Sequence, residues 1–285
     1  MKFSPKYLLQ TLFVNKIIYS IWSPFIFFAD RLKASRHNYI NTNSVHNLTT
    51  AANKIFTDNI VANGPFKGLM FSAKSSTASS IYAKLLGSYE SEIHPFIYRV
   101  LQKKYTTVFN IGCDDGYYAL GFAFKMPDAV IQAYDSNLDA ITTARQLGKL
   151  NNLQHQVNFS GKYAVENIER VNVKTNSLFI VDCEGAERDI FTPANVHKLV
   201  NADLIIELHI NIYPDLEEYF NSVFAATHHI EIANSIDDHL KAKNYSYPQL
   251  VGLDYSLRRF ITGERDIFMQ WMLLTAKNND EAVAN

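Results

Sequence analysis

The chain has 285 residues, 47% of them hydrophobic and 19% charged, which is enough apolar material for a sizeable core. Its 27 basic and 28 acidic side chains leave a net charge of −1, which excludes the basic surface that a nucleic-acid backbone demands. Cys113 and Cys183 are the only cysteines, too few for a disulfide framework and suited to a reducing, cytoplasmic compartment.

Residues 7–28, YLLQTLFVNKIIYSIWSPFIFF, are rich in Leu, Ile and Phe but carry Asn15 and Lys16 in their middle. A lysine near a bilayer centre is costly, so the stretch does not read as a spanning helix. It also lacks the uninterrupted apolar run and small-residue cleavage site of a signal peptide. Three readings of residues 1–36 stand: packing on the rest of the chain, self-association, or peripheral contact with a membrane surface. In the last, Lys2, Lys6, Lys16, Arg31, Lys33 and Arg36 would face lipid headgroups and the protein would be membrane-associated.

From 34 to 80 the chain turns polar, and its Asn, Ser and Thr predict loops around a short helix near 48–60. Residues 1–80 thus read as a helical and loop-rich N-terminal extension, and residues 81–285 as the catalytic body. Within 81–104, Ile93, Phe96, Ile97, Val100 and Leu101 recur at helical spacing.

Beyond residue 105, strands alternate with helices. TTVFNIG, AVIQAYD, QVNFSG, SLFIVD and ADLIIEL are apolar runs of strand length, while YYALGFAFK and LDAITTARQLGKLNN have helical patterns. Continuous apolar strands between helices belong to a mostly parallel sheet covered on both faces, an α/β fold of Rossmann-like type. Such sheets bind ligands outside the carboxyl ends of their strands.

The first strand ends in Gly112-Cys113-Asp114-Asp115-Gly116. Glycines let backbone approach a ligand, and the helix that follows offers free N–H groups. Asp135, at the end of the second strand, is placed to accept hydrogen bonds from a ribose diol. A dinucleotide would set its pyrophosphate against Asp114 and Asp115, like charge against like. S-adenosylmethionine carries no phosphate and has a cationic sulfonium and amino group, which these acids favour. Charge decides for the methyl donor.

VFNIGCDDGYYALG (108–121) resembles motif I of class I S-adenosylmethionine-dependent methyltransferases, and LFIVDCEGAERDIF (178–191) resembles the D-x-E-G-x-E signature of the FkbM type. The resemblance covers about 85–277. It implies a Rossmann-like class I methyltransferase fold with a seven-stranded, mostly parallel sheet. It implies O-methylation of a hydroxyl on a sugar, glycan, lipid-linked or secondary-metabolite acceptor. Motif residues carry over to Gly112, Gly116, Asp135, Asp182, Glu184, Gly185 and Glu187. The acid that opens motif I is Asn110 here, which can accept a hydrogen bond but brings no charge. The cofactor-binding candidates are therefore Asn110, Gly112, Asp114, Gly116 and Asp135.

An alcohol must lose a proton to be methylated, and Asp182, Glu184 and His209, at the ends of the fourth and fifth strands, are the candidates to take it. Caps for the turn after the fourth strand are the alternative role for Asp182 and Glu187. No metal site is expected. SIDDH (235–239) puts its ligand types on opposite faces of the chain and reads as a solvated turn. The stretch 240–265 interrupts the last two strands, and its Tyr245, Tyr247, Tyr255, Arg258 and Arg259 would suit either a sugar-facing lid or a plain surface insertion. The alternative function is a non-catalytic nucleoside-binding or scaffold protein, for which Asn110 is the hint.

Overall fold

The structure, a computed structural model, describes residues 16–72, 80–170, 176–265 and 267–277. The expectations for residues 1–15, and for most of the serine-rich stretch 72–80, lie outside the described residues. The chain divides into two compact units, residues 1–53 and residues 54–285. The sheet-bearing unit thus begins ahead of the expected residue 81.

A single long helix, α1 (Lys16–Ile55), takes the place of the loop expected ahead of residue 48 and of the short helix near 48–60, while residues 56–72 are irregular as expected. Asn, Ser and Thr each cost a helix only a few tenths of a kcal/mol to about 0.7. Residues 25–55 contain neither glycine nor proline, so nothing in them forces a break. No helix among the described residues is long and apolar enough to cross a membrane.

The expected helix over 81–104 is split into α2 (Ile81–Leu86) and α3 (His94–Leu101). Gly87 ends α2 in the left-handed region (φ 78°), and its N–H bonds the carbonyls of Ala83 and Lys84. A side chain is excluded there, because a Cβ would lie 2.0 Å from the Asn63 carbonyl oxygen.

The alternating pattern then forms as read: β1 (Thr107–Ile111), α4 (Tyr117–Lys125), β2 (Val130–Tyr134), α5 (Leu138–Leu150), β3 (Val157–Ser160), α6 (Val165–Arg170), β4 (Ser177–Val181), α7 (Glu187–Ile190), β5 (Ala202–Leu208) and α8 (Leu216–Phe224). The chain closes with β6 (His228–Asn234), α9 (Asp238–Asn244), α10 (Tyr255–Thr262) and β7 (Gln270–Ala276). The seven strands lie in the order 3-2-1-4-5-7-6, a doubly wound Rossmann-like sheet. Strands 3, 2, 1, 4 and 5 are parallel, whereas β7 pairs antiparallel with both β5 and β6, so the sheet is mixed.

β4 and β5 are buried along their whole length, their apolar runs LFIV and LII carrying the buried polar residues Ser177, Asp203 and Glu207 with them. On one face Leu216, Phe220 and Phe224 of α8 pack with Phe191 on Phe179, Leu204, Ile206 and Met272. On the other, α4 rests on β1 and β2, and α5 on β3. Residues 60–71 cover α4: Phe66 meets Tyr117, Tyr118 and Phe122 edge to face, and it passes so close that a Cβ on Gly121 would lie 2.5 Å from its ring. Burying one such aromatic ring contributes about 1.5–3 kcal/mol.

The 240–265 insertion is a helical hairpin, α9 and α10, fastened by Arg258. Its guanidinium donates to the carbonyls of Ala242 (2.6 Å), Leu250 (3.0 Å) and Tyr245 (2.6 Å). Arg258 is thus engaged within the insertion and does not wait for an anion. Tyr245 bonds Ser91, and Tyr255 bonds His239. In SIDDH, Asp237 caps α9 through the N–H groups of His239 and Leu240, and Asp238 accepts the Glu264 N–H.

A chain beginning at Lys54 keeps every element of the sheet unit. It is expected to unfold in one cooperative thermal transition with the circular dichroism of a folded α/β protein. A broad, non-cooperative melt would contradict the division at residue 53.

Candidate active site

The turn after β1 is determined by its neighbours. Gly112 has φ 78°, and a Cβ there would lie 1.5 Å from the Asp182 carbonyl oxygen at the end of β4. The N–H groups of Gly112 and Cys113 both donate to the Tyr134 carbonyl (2.8 and 2.9 Å), while the Asp182 N–H donates to Ile111 (2.9 Å). Three strand ends are thereby drawn together. Gly116, at φ 87°, opens α4 where a Cβ would come 2.9 Å from the Cβ of Ala144 on α5. Both glycines are therefore required by packing within the protein, whether or not a ligand approaches them.

Asp135 braces the same turn. Its Oδ2 accepts the Asp114 N–H (2.8 Å) and its Oδ1 accepts the Asn137 N–H (2.7 Å). Each carboxylate oxygen keeps a lone pair, so hydroxyls can still bind. Asp114 (φ 43°) is the residue that Asp135 holds in a left-handed conformation. Asp115, expected to face a ligand beside Asp114, turns inward instead. Both its oxygens lie 2.9 Å from the buried ammonium of Lys84, which also sits over the rings of Phe71, Tyr89 and Tyr117 at 5.1–5.8 Å. The acidic turn is thus half neutralised by a lysine from α2. Asn110 is buried and donates to the Ile180 carbonyl of β4 (3.4 Å).

A cleft of about 500 Å³ opens at these strand ends, lined by Gly112, Asp135, Asp182 and Glu184, among others. Tyr134 and Tyr163 pack edge to face in its wall, with ring centroids 4.9 Å apart. Asn110, Asp114 and Gly116 shape the turn from outside this lining. Cys183 borders the cleft, Cys113 is buried beside the turn, and both are free thiols that burial pushes up in pKa.

Asp182 and Glu184 line the cleft, and His209, outside that lining, comes together with them as the sequence suggested. His209 Nε2 lies 3.7 Å from Asp182 Oδ1, 3.4 Å from Glu184 Oε2 and 3.9 Å from Glu207 Oε2. Glu184 is 87% exposed at its side chain and adopts φ 55°, which aims it into the opening. Asp182, Glu207 and His209 bring one ligand atom each to within 4.8 Å of one another, so they could hold a metal ion.

Glu187 takes the capping role that the sequence left open for it, whereas Arg265 carries no mark in the sequence. Glu187, fully buried, accepts the N–H groups of Cys183 (3.1 Å) and Gly185 (3.3 Å) on Oε1. The same oxygen lies 2.8 Å from His209 Nδ1, off the line of an ideal hydrogen bond. Glu187 therefore caps the turn and orients the imidazole together. Arg265, from the end of the insertion, bridges Glu207 on β5 and Glu90 between α2 and α3. No local pattern marks it, because its partners are 58 and 175 residues away.

The electrostatics follow from crowding. Burial raises the Asp182 carboxyl well above its ordinary range, and the charge of Glu207 raises it further. Burial also lifts Glu90 to about 7 despite the pull of Arg265. Burial alone would raise Glu187 and lower His209. Their mutual contact outweighs both effects, holding the Glu187 carboxyl below and the His209 imidazole above their usual values.

No protein-family model and no curated protein matches this chain. Among solved structures it is similar to an O-methyltransferase from Bacillus cereus in complex with SAH, at 11% identity and a TM-score of 0.43, covering 62% of this chain and 77% of that one. It is also similar to the O-methyltransferase TomG from Streptomyces achromogenes in complex with SAM, at 11% identity and a TM-score of 0.45, covering 69% and 87%. A third is a precorrin-6y C5,15-methyltransferase from Geobacter metallireducens, at 12% identity and a TM-score of 0.41, covering 62% and 85%. At such identities the similarity is one of fold alone.

Gly112→Ala should destabilise the protein by at least about 2 kcal/mol, combining left-handed backbone strain with a backbone collision. Gly252 has a similar φ of 76° but nothing within 4 Å of its would-be Cβ. Gly252→Ala should therefore cost only the strain, about 1 kcal/mol. Urea unfolding of the two variants checks this, and equal costs would contradict the account.

Proposed function

We propose that the chain is an S-adenosylmethionine-dependent methyltransferase of the FkbM type, directed to a hydroxyl oxygen on a sugar, glycan, lipid-linked or secondary-metabolite acceptor. One observation carries the reading. The cleft at the ends of β1, β2 and β4 is walled by a carboxylate on the ribose side and by acids on the reacting side. Asp135 and Glu184 outweigh Lys162, the lysine of that lining, so a phosphate-bearing dinucleotide would meet net like charge there and a sulfonium net opposite charge.

In this reading the donor lies over Gly112, with its ribose hydroxyls on Asp135. Its methyl group points toward Asp182, Glu184 and His209. Methyl transfer is an in-line displacement that needs alignment above all. The acceptor oxygen attacks the methyl carbon as the carbon–sulfur bond breaks, its electron pair leaves with sulfur, and the hydroxyl proton passes to one of the gathered bases. Asn110 does not weaken the proposal, because its amide bonds β4 from outside the cleft lining.

Residues 1–36 are assigned to association. They hold six basic side chains against the single acid Asp30, beside a broad apolar stretch. A second copy of the chain or an anionic bilayer surface fits that composition.

Titration calorimetry should detect binding of S-adenosylhomocysteine and none of NAD. Asp135→Ala, confirmed folded by its melting curve, should weaken S-adenosylhomocysteine by about 1–3 kcal/mol through polar groups left unpaired. Tight NAD binding with no response to S-adenosylhomocysteine would overturn the proposal.

A further inference from the structure

We infer that Asp182, Glu207 and His209 form a binding site for one divalent first-row metal ion, with Glu187 as the group that orients the histidine toward it. The site is built from the carboxyl ends of two adjacent strands. Asp182 follows β4, Glu207 lies within β5, and His209 follows β5. Their side chains converge across the β4–β5 pair because that pairing is in register from Ser177↔Ala202 to Val181↔Ile206.

The ligand chemistry is that of a cation site. Two carboxylates and one imidazole suit Mn2+ and its neighbours in the first row. His209 Nε2 lies 3.7 Å from Asp182 Oδ1 and 3.9 Å from Glu207 Oε2, and all three ligand atoms fall within 4.8 Å. An ion held about 2.1 Å from each atom spans at most about 4.2 Å, so the set need contract by only about half an ångström.

Two further observations point to a ligand. First, Asp182 Oδ1 is buried without a hydrogen-bond partner among the described residues and faces Nε2 of His209, a side chain 4% exposed, at 3.7 Å. Second, Glu187 lies 2.8 Å from the opposite ring nitrogen, Nδ1. A carboxylate on the far nitrogen is the usual support of a metal-bound histidine, because it sets the tautomer and raises the basicity of the ligating nitrogen.

Charge balance gives the same answer. Asp182, Glu184, Glu187 and Glu207 surround His209, and the cation that touches the cluster among the described residues is Arg265. Arg265 divides its guanidinium between Glu207 and Glu90. Buried like charges need compensation. A divalent ion supplies it on the side of Glu207 that Arg265 does not reach. Only the ion's role depends on the methyl-transfer reading: it would polarise the acceptor hydroxyl and lower its pKa, leaving the exposed Glu184 to take the proton.

The test uses the full chain stripped of metal with EDTA and titrated with MnCl2, followed by calorimetry and by the loss of the free-Mn2+ paramagnetic resonance signal. One Mn2+ per chain is expected. His209→Ala and Asp182→Asn, each confirmed folded by circular dichroism, should abolish binding. Glu187→Gln should weaken it by about 10–100-fold, as for other groups that support a metal-bound histidine. No binding at millimolar Mn2+ would overturn the inference and leave a shared proton between Asp182 and Glu207. Binding unchanged in both His209→Ala and Asp182→Asn would overturn it equally. S-adenosylhomocysteine titrated in parallel separates the two proposals. If it binds and Mn2+ does not, the metal site falls alone; if Mn2+ binds and it does not, the donor reading falls alone.

Discussion

The contact on which the site depends is the passage of Gly112 against the Asp182 carbonyl. No other residue fits there, since the smallest side chain would overlap that oxygen at 1.5 Å. This approach joins the ends of β1 and β4. The Tyr134 carbonyl, taking the Gly112 and Cys113 N–H groups, joins β2 to them. The cleft is the space left outside these three ends. Its floor is backbone, so its shape is as rigid as the sheet. The left-handed residues Asp114, Glu184 and Gly185 turn the chain sharply enough to leave it open.

Around this floor the protein places buried ion pairs where an ordinary core would place apolar contacts. Lys84 with Asp115 fastens α2 to the β1 turn. Arg265 with Glu90 and Glu207 fastens the end of the insertion to β5, and Lys241 with Glu264 (2.5 Å) fastens α9 to the same end. Such pairs add little net stability compared with a hydrophobic replacement, but removing one partner costs about 3–5 kcal/mol. Their effect is positional. The insertion that the sequence left open between lid and surface decoration is tied by charge to β5 and to the segment between α2 and α3.

The parallel part of the fold was readable because its signals are local. Apolar runs of strand length, ended by Gly112, Asp135 and Asp182, need only a few residues to recognise, and they appear where expected. The α1 helix was not readable, since Asn, Ser and Thr are read as loop formers while their true cost in a helix is small. The break at Gly87 was missed because its reason, the Asn63 carbonyl, lies 24 residues away. The same limit explains the site. Asp182, Glu184 and His209 sit at strand ends and announce themselves. Asp115 looked like a ligand-facing acid because its partner Lys84 belongs to another helix. Gly112 and Gly116 were read as ligand-facing, but internal packing alone already demands glycine at both.

In the proposed methyl-transfer reading, the floor at Gly112 holds S-adenosylmethionine with its methyl group toward the acids of β4 and β5. A crystal structure with S-adenosylhomocysteine tests it most directly. The account predicts the ribose on Asp135, the sulfur facing Asp182 and Glu184, and no phosphate-sized density at the start of α4. A nucleotide seated elsewhere on the sheet, or one whose sulfur points away from His209, would contradict it.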